Sequence, residues 1–434
     1  MTEADASDRD AGGLPGTGMF HSLVIRDFRC LWVSNLCVSF AMQMQMVARG
    51  WLIYDMTSSA LALTWVMLSF LMPSFFFSLF GGVIADRWQK KRVMVASQVL
   101  NTCSTLALAW IIYSGEVTFW HFIYFGLFNG TVLSFSMPAR SAVIPEIVGR
   151  DNLVNAMALQ SATFNLSRIL GPALAGVLIA LVAAGDTTST KGVGIVFFVI
   201  AALYLGSVIA VTVLHYRGMP VTEHRGSPLG DIREGFRYMR DERIVLGLLI
   251  MGFVPMTFGF SASFLLPAFN QDVIGGGPDD LGLMMTAMGA GALVGSLTLA
   301  RMGDFRNKGR FMFAASYAWA ASLAVFALSG TLVSAVLAGA LTGLFGSLFG
   351  ALNMSVVQLA IAPEVRGRVM SIMMMTHGLM PIGMLPVSAL AEHVGIDVAL
   401  QFAALMLFIS MLVLGAWLPD LKRIDRGHGS NAMT

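Results

Sequence analysis

Twelve apolar runs dominate this chain, each close to the roughly 20 residues that a helix needs to cross a bilayer. They lie at 28–54, 61–84, 93–114, 118–139, 152–183 and 192–215, then at 243–270, 281–300, 311–329, 331–355, 369–392 and 396–418. Lipid offers a backbone N–H or C=O no partner, so such runs must close their own hydrogen bonds as helices. Of the 434 residues 56% are hydrophobic and 12% charged, about half the charge of a soluble domain, which leaves little sequence for one. The expected fold is an all-α membrane protein of 12 transmembrane helices.

A second constraint is repetition. Gly82-Val-Ile-Ala-Asp-Arg-Trp-Gln-Lys-Lys-Arg92 returns as Ala300-Arg-Met-Gly-Asp-Phe-Arg-Asn-Lys-Gly-Arg310, with Asp86 falling on Asp304, Lys90 on Lys308 and Arg92 on Arg310. Pro145-Glu-Ile-Val-Gly-Arg150 returns at the same offset as Pro363-Glu-Val-Arg-Gly-Arg368. Two unrelated motifs sharing one offset mark a duplicated unit, and parallel repeats inside an apolar sequence point to a secondary transporter. The predicted organisation is a disordered cytoplasmic tail at 1–21, a six-helix bundle at 22–215, a cytoplasmic linker at 216–242, a second six-helix bundle at 243–418 and a cytoplasmic tail at 419–434.

All of the 27 Lys and Arg except Arg49, Arg168 and Lys191 fall on one side of the alternating topology. Short cytoplasmic loops hold the bases, so both termini are expected inside a bacterial plasma membrane, against an anionic inner leaflet. Residues 1–18 have no apolar core and read as a tail, not as a cleaved signal peptide. Trp51, Tyr54, Trp120 and Tyr124 are expected at the outer interface. Leu229, Ile232, Phe236 and Met239 alternate with Arg233, Arg237 and Arg240 as an amphipathic helix on the inner leaflet would. Gly126 and Gly130, Gly291 and Gly295, Gly346 and Gly350 are each four apart, a spacing that lets helices approach closely. Cys30, Cys37 and Cys103 fit no disulfide framework, and no metal or cofactor motif is present. No nucleic-acid partner is expected, and the chain reads as a monomer.

The loop after the second span, Gly82-x-Ile-Ala-Asp-Arg-x-x-Lys-Lys-Arg92, resembles the signature loop of the major facilitator superfamily. That resemblance implies two pseudo-symmetric six-helix bundles around a cavity that opens to each side in turn. It also implies a conformational gate made of Gly82, Asp86, Arg87, Lys90, Lys91, Arg92, Arg140 and Asp304, with Asp86 pairing with Arg140 and with the start of helix eleven. Arg26-Asp-Phe-Arg-Cys-Leu-Trp32, Gly50-Trp-Leu-Ile-Tyr-Asp55 and the stretch from Asn152 to Gly176 resemble the bacterial exporter branch that includes enterobactin exporters and macrolide efflux proteins. Gly171-Pro-Ala-Leu-Ala-Gly176 is similar to the helix-five motif of drug:proton antiporters, carried here by Gly171, Pro172 and Gly176. The chain departs from these patterns at Gln89, Phe305, Asn129-Gly130 and Ser167.

Polar residues inside the runs mark a candidate cavity. Arg168 lies roughly 18 Å into a core about 30 Å thick, counted from Ala156. At that depth it needs a wet cavity or a partner, because an arginine there costs about 2.5–3.5 kcal/mol on insertion scales. Ser161, Asn165, Arg168 and Pro172 recur at helical spacing as one polar stripe, either lining a cavity or clamping two helices. Asn35, Gln43 and Arg49 share a face of helix one with Ser39, though Arg49 near the outer interface fits snorkelling as well. Asn129 stands where many proton antiporters carry arginine. His377 reads either as a titrating group or as a buried neutral one. No Asp or Glu falls mid-span. Arg168 is thus a candidate counter-charge for anionic or electron-rich substrates.

The leading expectation is a secondary active transporter that exports small amphiphilic compounds, such as a drug, macrolide or siderophore, driven by the proton motive force. A non-transporting sensor or scaffold, or an importer of a small anionic solute, are the alternatives. The absence of a Gly-x-x-x-x-Gly-Lys-Ser/Thr loop disfavours an ATP-driven pump, and no nucleophile or metal-ligand constellation suggests an enzyme.

Overall fold

A computed structural model describes residues 21–183, 190–216, 237, 242–303, 305–361, 369 and 380–423. Among these the regular elements are helical, and eleven helices are long and apolar enough to cross a membrane. The first half comprises α1 (Arg26–Thr57), α2 (Ala60–Arg87), α3 (Lys90–Tyr113), α4 (Phe119–Gly149), α5 (Asn152–Val182) and α6 (Thr190–Thr212). The second comprises α7 (Arg243–Gly259), α8 (Pro278–Met302), α9 (Lys308–Ala327), α10 (Leu332–Ala360), α11 (Met380–Val394) and α12 (Ile396–Trp417). The amphipathic linker at 229–240 lies outside the described residues, Arg237 apart.

Local chemistry sets the joints. α4 runs into α5 through Gly149, whose φ of 69° is open to a residue without Cβ. α1 turns into α2 at Ser58, also left-handed at φ 46°, where its N–H reaches the Tyr54 carbonyl. Beyond α7 the chain breaks into two single turns, Ser261–Phe264 and Leu266–Phe269, and a π-turn, Asn270–Ile274. Buried Asn270 holds that end, donating from Nδ2 to the carbonyls of Gly276 at 3.1 Å and Gly277 at 2.9 Å.

The sequence offset reappears as a packing rule. Gly126 and Gly130 of α4 lie against Phe70 and Pro73 of α2. In the second half Gly343 of α10 lies against Met288 of α8, and Gly291 of α8 against Ala340 of α10. Adding the 218 residues that separate Tyr54 from its partner Asp272 takes Phe70 to Met288 and Pro73 to Gly291. Both halves thus build a glycine seam at matching points of α2 and α8, though the facing helix is shifted, since Gly130 would fall on Leu348 while Met288 meets Gly343. Gly295 against Leu344 and Gly346 against Trp319 close two more approaches, so the small-residue pairs act in packing.

One end of the first bundle is drawn together by polar contacts. Ser22 binds Asn155 through both its N–H and its hydroxyl, and Asp27 accepts from the N–H groups of His215 at 3.0 Å and Tyr216 at 2.9 Å. This is the end that carries the bases. At the opposite end Trp120 and Tyr124 are exposed and stacked, as an interfacial belt requires. Trp51 and Tyr54 correct the expectation: they are 3% and 5% exposed and belong to the core of the bundle contact. Their ring area is spent on helix packing because α1 faces the second half there.

Gly291→Leu is expected to push α8 off α10, at a cost of about 1–3 kcal/mol typical of overpacked cores. Thermal unfolding of the purified protein in detergent checks this, and an unchanged midpoint would show the seam to be loose.

Candidate functional site

Between the bundles lies a cavity of about 530 Å³, within the range of small-molecule sites. α1, α2, α4 and α5 supply most of its wall, with the segment after α7 and α8 completing it. Six methionines line it: Met42, Met46, Met67, Met137, Met285 and Met288. Unbranched thioether side chains adapt to guests of different shape. Three guanidinium groups, Arg49, Arg140 and Arg168, point the polar chemistry, and among the lining residues none carries a carboxylate.

Arg49 is a cavity residue and not an interfacial one. Its guanidinium lies 5.3 Å over the Phe70 ring, and its Nη2 is 3.7 Å from Met67 Sδ. Asn35 and Gln43 join it on the same wall, as the face of helix one suggests. Arg168 and Pro172 line the cavity from α5, but their companions there are Gln160 and Phe164. Ser161 and Asn165 correct the predicted stripe: Ser161 is exposed, and Asn165 Nδ2 donates back to the Ser161 carbonyl at 2.9 Å. The reason is a small rotation of α5, which turns the lining face one position back from Ser161 and Asn165. Asn129 lies off the cavity too. It accepts from Ser104 Oγ at 2.8 Å and ties α4 to α3. His377 lies outside the described residues.

The gate residues separate into two groups. Arg140 donates from Nη1 to Asn35 Oδ1 and, at 3.4 Å, to Ser34 Oγ, while the side-chain surroundings of Asp86, its expected partner, are not described. Lys90, only 2% exposed, forms an ion pair with Glu146 at 2.7 Å, and Tyr216 donates its hydroxyl to the other oxygen of the same carboxylate. The two motifs repeated at one offset thus meet in space. Lys91 donates to the carbonyls of Thr212, at 2.8 Å, and Leu214, satisfying the C-terminal end of α6. Arg92 is exposed. Gly82, Asp86 and Arg87 lie on α2 with their side-chain surroundings undescribed, and Asp304 lies outside the described residues.

Sequence reasoning missed the closure at the base-poor end. Tyr54 donates its hydroxyl to Asp272 Oδ2, Ser59 donates to Glu392 Oε1, and the hydroxyls of Thr64 and Ser388 are 2.5 Å apart. Thr286 reaches the Ile169 carbonyl at 2.9 Å, and Gly176 lies against Gly282. These contacts join the bundles along two seams, α2 with α11 and α5 with α8. Gly171 packs on the Gln43 side chain and Gly289 on the Arg168 carbonyl, where a Cβ would lie 2.7 Å and 2.9 Å away. The sequence signal that could have found it is the placing of Asp55, Glu116, Asp272, Glu392 and Asp397 at outer helix ends, of which Asp272 and Glu392 make these contacts.

A family model described as transmembrane secretion effector matches residues 17–431. The staphyloferrin A transporter of Staphylococcus aureus is 25% identical over 81% of this chain and 86% of its own length. Macrolide efflux protein A of Streptococcus pyogenes is 22% identical over 92% of this chain and 97% of its own. Among solved structures, a POT family transporter in complex with 5-aminolevulinic acid superposes with a TM-score of 0.73 at 12% identity, covering 91% of this chain and 96% of that one.

In a background with Cys30, Cys37 and Cys103 replaced by serine, the pair Thr64→Cys and Ser388→Cys is expected to form a disulfide with mild oxidant. Their hydroxyls already touch, and a disulfide needs Cβ atoms about 3.5–4.5 Å apart. Counting free thiols by mass spectrometry checks it; two unreacted thiols would place the seam elsewhere.

Proposed function

The chain belongs to the transmembrane secretion effector family of the major facilitator superfamily, and from this we propose that it exports small amphiphilic compounds by alternating access. The observation that carries the reading is a methionine-lined, three-arginine cavity sealed at the base-poor end by two pseudo-symmetric seams. A carrier needs one closed end at a time, and the seams are short side chains and glycine contacts that rocking of the bundles would part. The base-rich end faces the cytoplasm in this reading, so both termini lie inside a bacterial plasma membrane and the cavity loads from within. The named relatives support the direction of transport, since efflux of macrolides is what one of them is named for.

The transport cycle is driven by the proton motive force. Arg168 holds the substrate within the cavity. Arg140 and Asn35 stand at the loading end. Lys90, Glu146 and Tyr216 keep the inner end of the first bundle rigid while it moves, and Lys91 anchors α6 where it leaves for the linker. The carrier functions as a monomer, with one cavity per chain.

Everted membrane vesicles carrying the protein are expected to accumulate a macrolide or dye when energised and to release it when an uncoupler is added. Uptake that ignores the uncoupler would remove the proton drive. Arg168→Ala is expected to lower the uptake rate at least about tenfold, the effect of losing roughly 1.4 kcal/mol of interaction. A normal rate in that variant would remove Arg168 from the site.

A further inference from the structure

The cavity's polar chemistry is one-sided. A guanidinium only donates, so the atom of Asn35 that Arg140 Nη1 reaches must be the amide oxygen. That fixes Asn35 Nδ2 as a donor as well. Asn35 is 5% exposed, and neither its Nδ2 nor Arg140 Nη2 has a hydrogen-bond partner. Two buried donors side by side, one of them charged, call for an acceptor, and leaving them unmet is costly. Both atoms are shielded here but their residues line the cavity, so a turn of either side chain brings the pair to an acceptor held there.

Two more cations stand further along the same space. α1 and α5 run in the same direction, and Gly171 sits level with Gln43. Counting at about 1.5 Å per residue, Arg168 lies about 8 Å beyond the Arg140–Asn35 pair, and Arg49 about 13 Å beyond Arg168. Arg49 also borders a smaller void of about 30 Å³ toward the sealed end, so it stands at the throat between the cavity and the seams. None of the lining residues is acidic, and among the described residues the guanidinium groups touch an amide, a hydroxyl, a thioether and a ring.

We propose that this cavity is a ladder for small molecules bearing two or more oxyanionic groups, carboxylates or phenolates. One group seats on Arg140 with Asn35 and a second on Arg168, while Arg49 receives the leading group as the outer seams part. The proposal rests on the export reading and narrows its substrate class. Guanidinium groups suit oxyanions because their fork of donors matches a carboxylate, and the methionines take the apolar body of the molecule. Placed in a water-poor cavity the attraction resists salt better than a surface pair does, yet it weakens as ionic strength rises.

Carboxyfluorescein, a polyanion, and rhodamine 123, a cation built on the same ring system, separate charge from shape. Fluorescence anisotropy with the purified full chain in detergent is expected to give carboxyfluorescein at least about tenfold tighter binding, falling with added salt. Arg140→Gln is expected to weaken carboxyfluorescein about fivefold to tenfold. Asn35→Asp gives Arg140 an internal carboxylate that occupies the same donors, and it is expected to do the same while leaving rhodamine 123 no weaker. Gel filtration confirms that each variant is folded, and the wild-type comparison of the two dyes needs no variant. Equal affinity for both dyes, or carboxyfluorescein binding unchanged in both folded variants, would overturn the ladder. Tight carboxyfluorescein binding with no energised uptake of any compound would sink export and leave the site standing. Macrolide export with no preference for the anion would sink this inference alone.

Discussion

Holding a guanidinium at the centre of a spanning helix costs about 2.5–3.5 kcal/mol on insertion scales, and this chain turns three, Arg49, Arg140 and Arg168, into one cavity. Lipid cannot meet that cost, so the helices that carry them must enclose a polar space. α1, α4 and α5 turn the three groups toward one another's space, and the second bundle closes over it with Phe260, Phe264, Met285 and Met288. The cavity is a consequence of burying charge without counter-charge. Because no lining side chain neutralises it, the cavity stays electrostatically unfinished until a guest or solvent enters.

The duplicated architecture supports this asymmetry instead of opposing it. Close glycine contacts recur in both halves, between α2 and α4 and between α8 and α10, because such approaches depend on helix geometry. Side-chain chemistry does not repeat. The three arginines come from the first half, while the second half contributes apolar cover and the carboxylates Asp272 and Glu392 at the sealed end. Tyr54 and Asp272 are separated by the same 218 residues as the repeated motifs, and they bond to each other across the two halves. A carrier of this kind gains from such a division, because one half can hold the guest while the other moves across it.

Two lysines of the repeated loop motif act as structural anchors. Lys90 with Glu146, and Lys91 with the end of α6, spend their charge on fixing the base-rich end of the first bundle. Arg140 bonds to Asn35, and both line the cavity. The basic loop caps a helix end that would otherwise leave its carbonyls open.

The twelve-helix, two-bundle fold was legible in the order of residues, because hydrocarbon thickness and backbone hydrogen bonding leave long apolar runs one outcome. So was the presence of a cavity, through Arg168, Asn35, Gln43 and Arg49, since charge in an apolar run has few places to go. Tertiary structure alone decided which side of α5 faces inward: a rotation too small to alter the hydropathy pattern exchanged Ser161 and Asn165 for Gln160 and Phe164. It also moved Asn129 out of the site and Arg140 into it, and it turned Tyr54 from an interfacial aromatic into a seal. Periodicity says which residues share a helix face, but only the neighbouring helices say what that face meets.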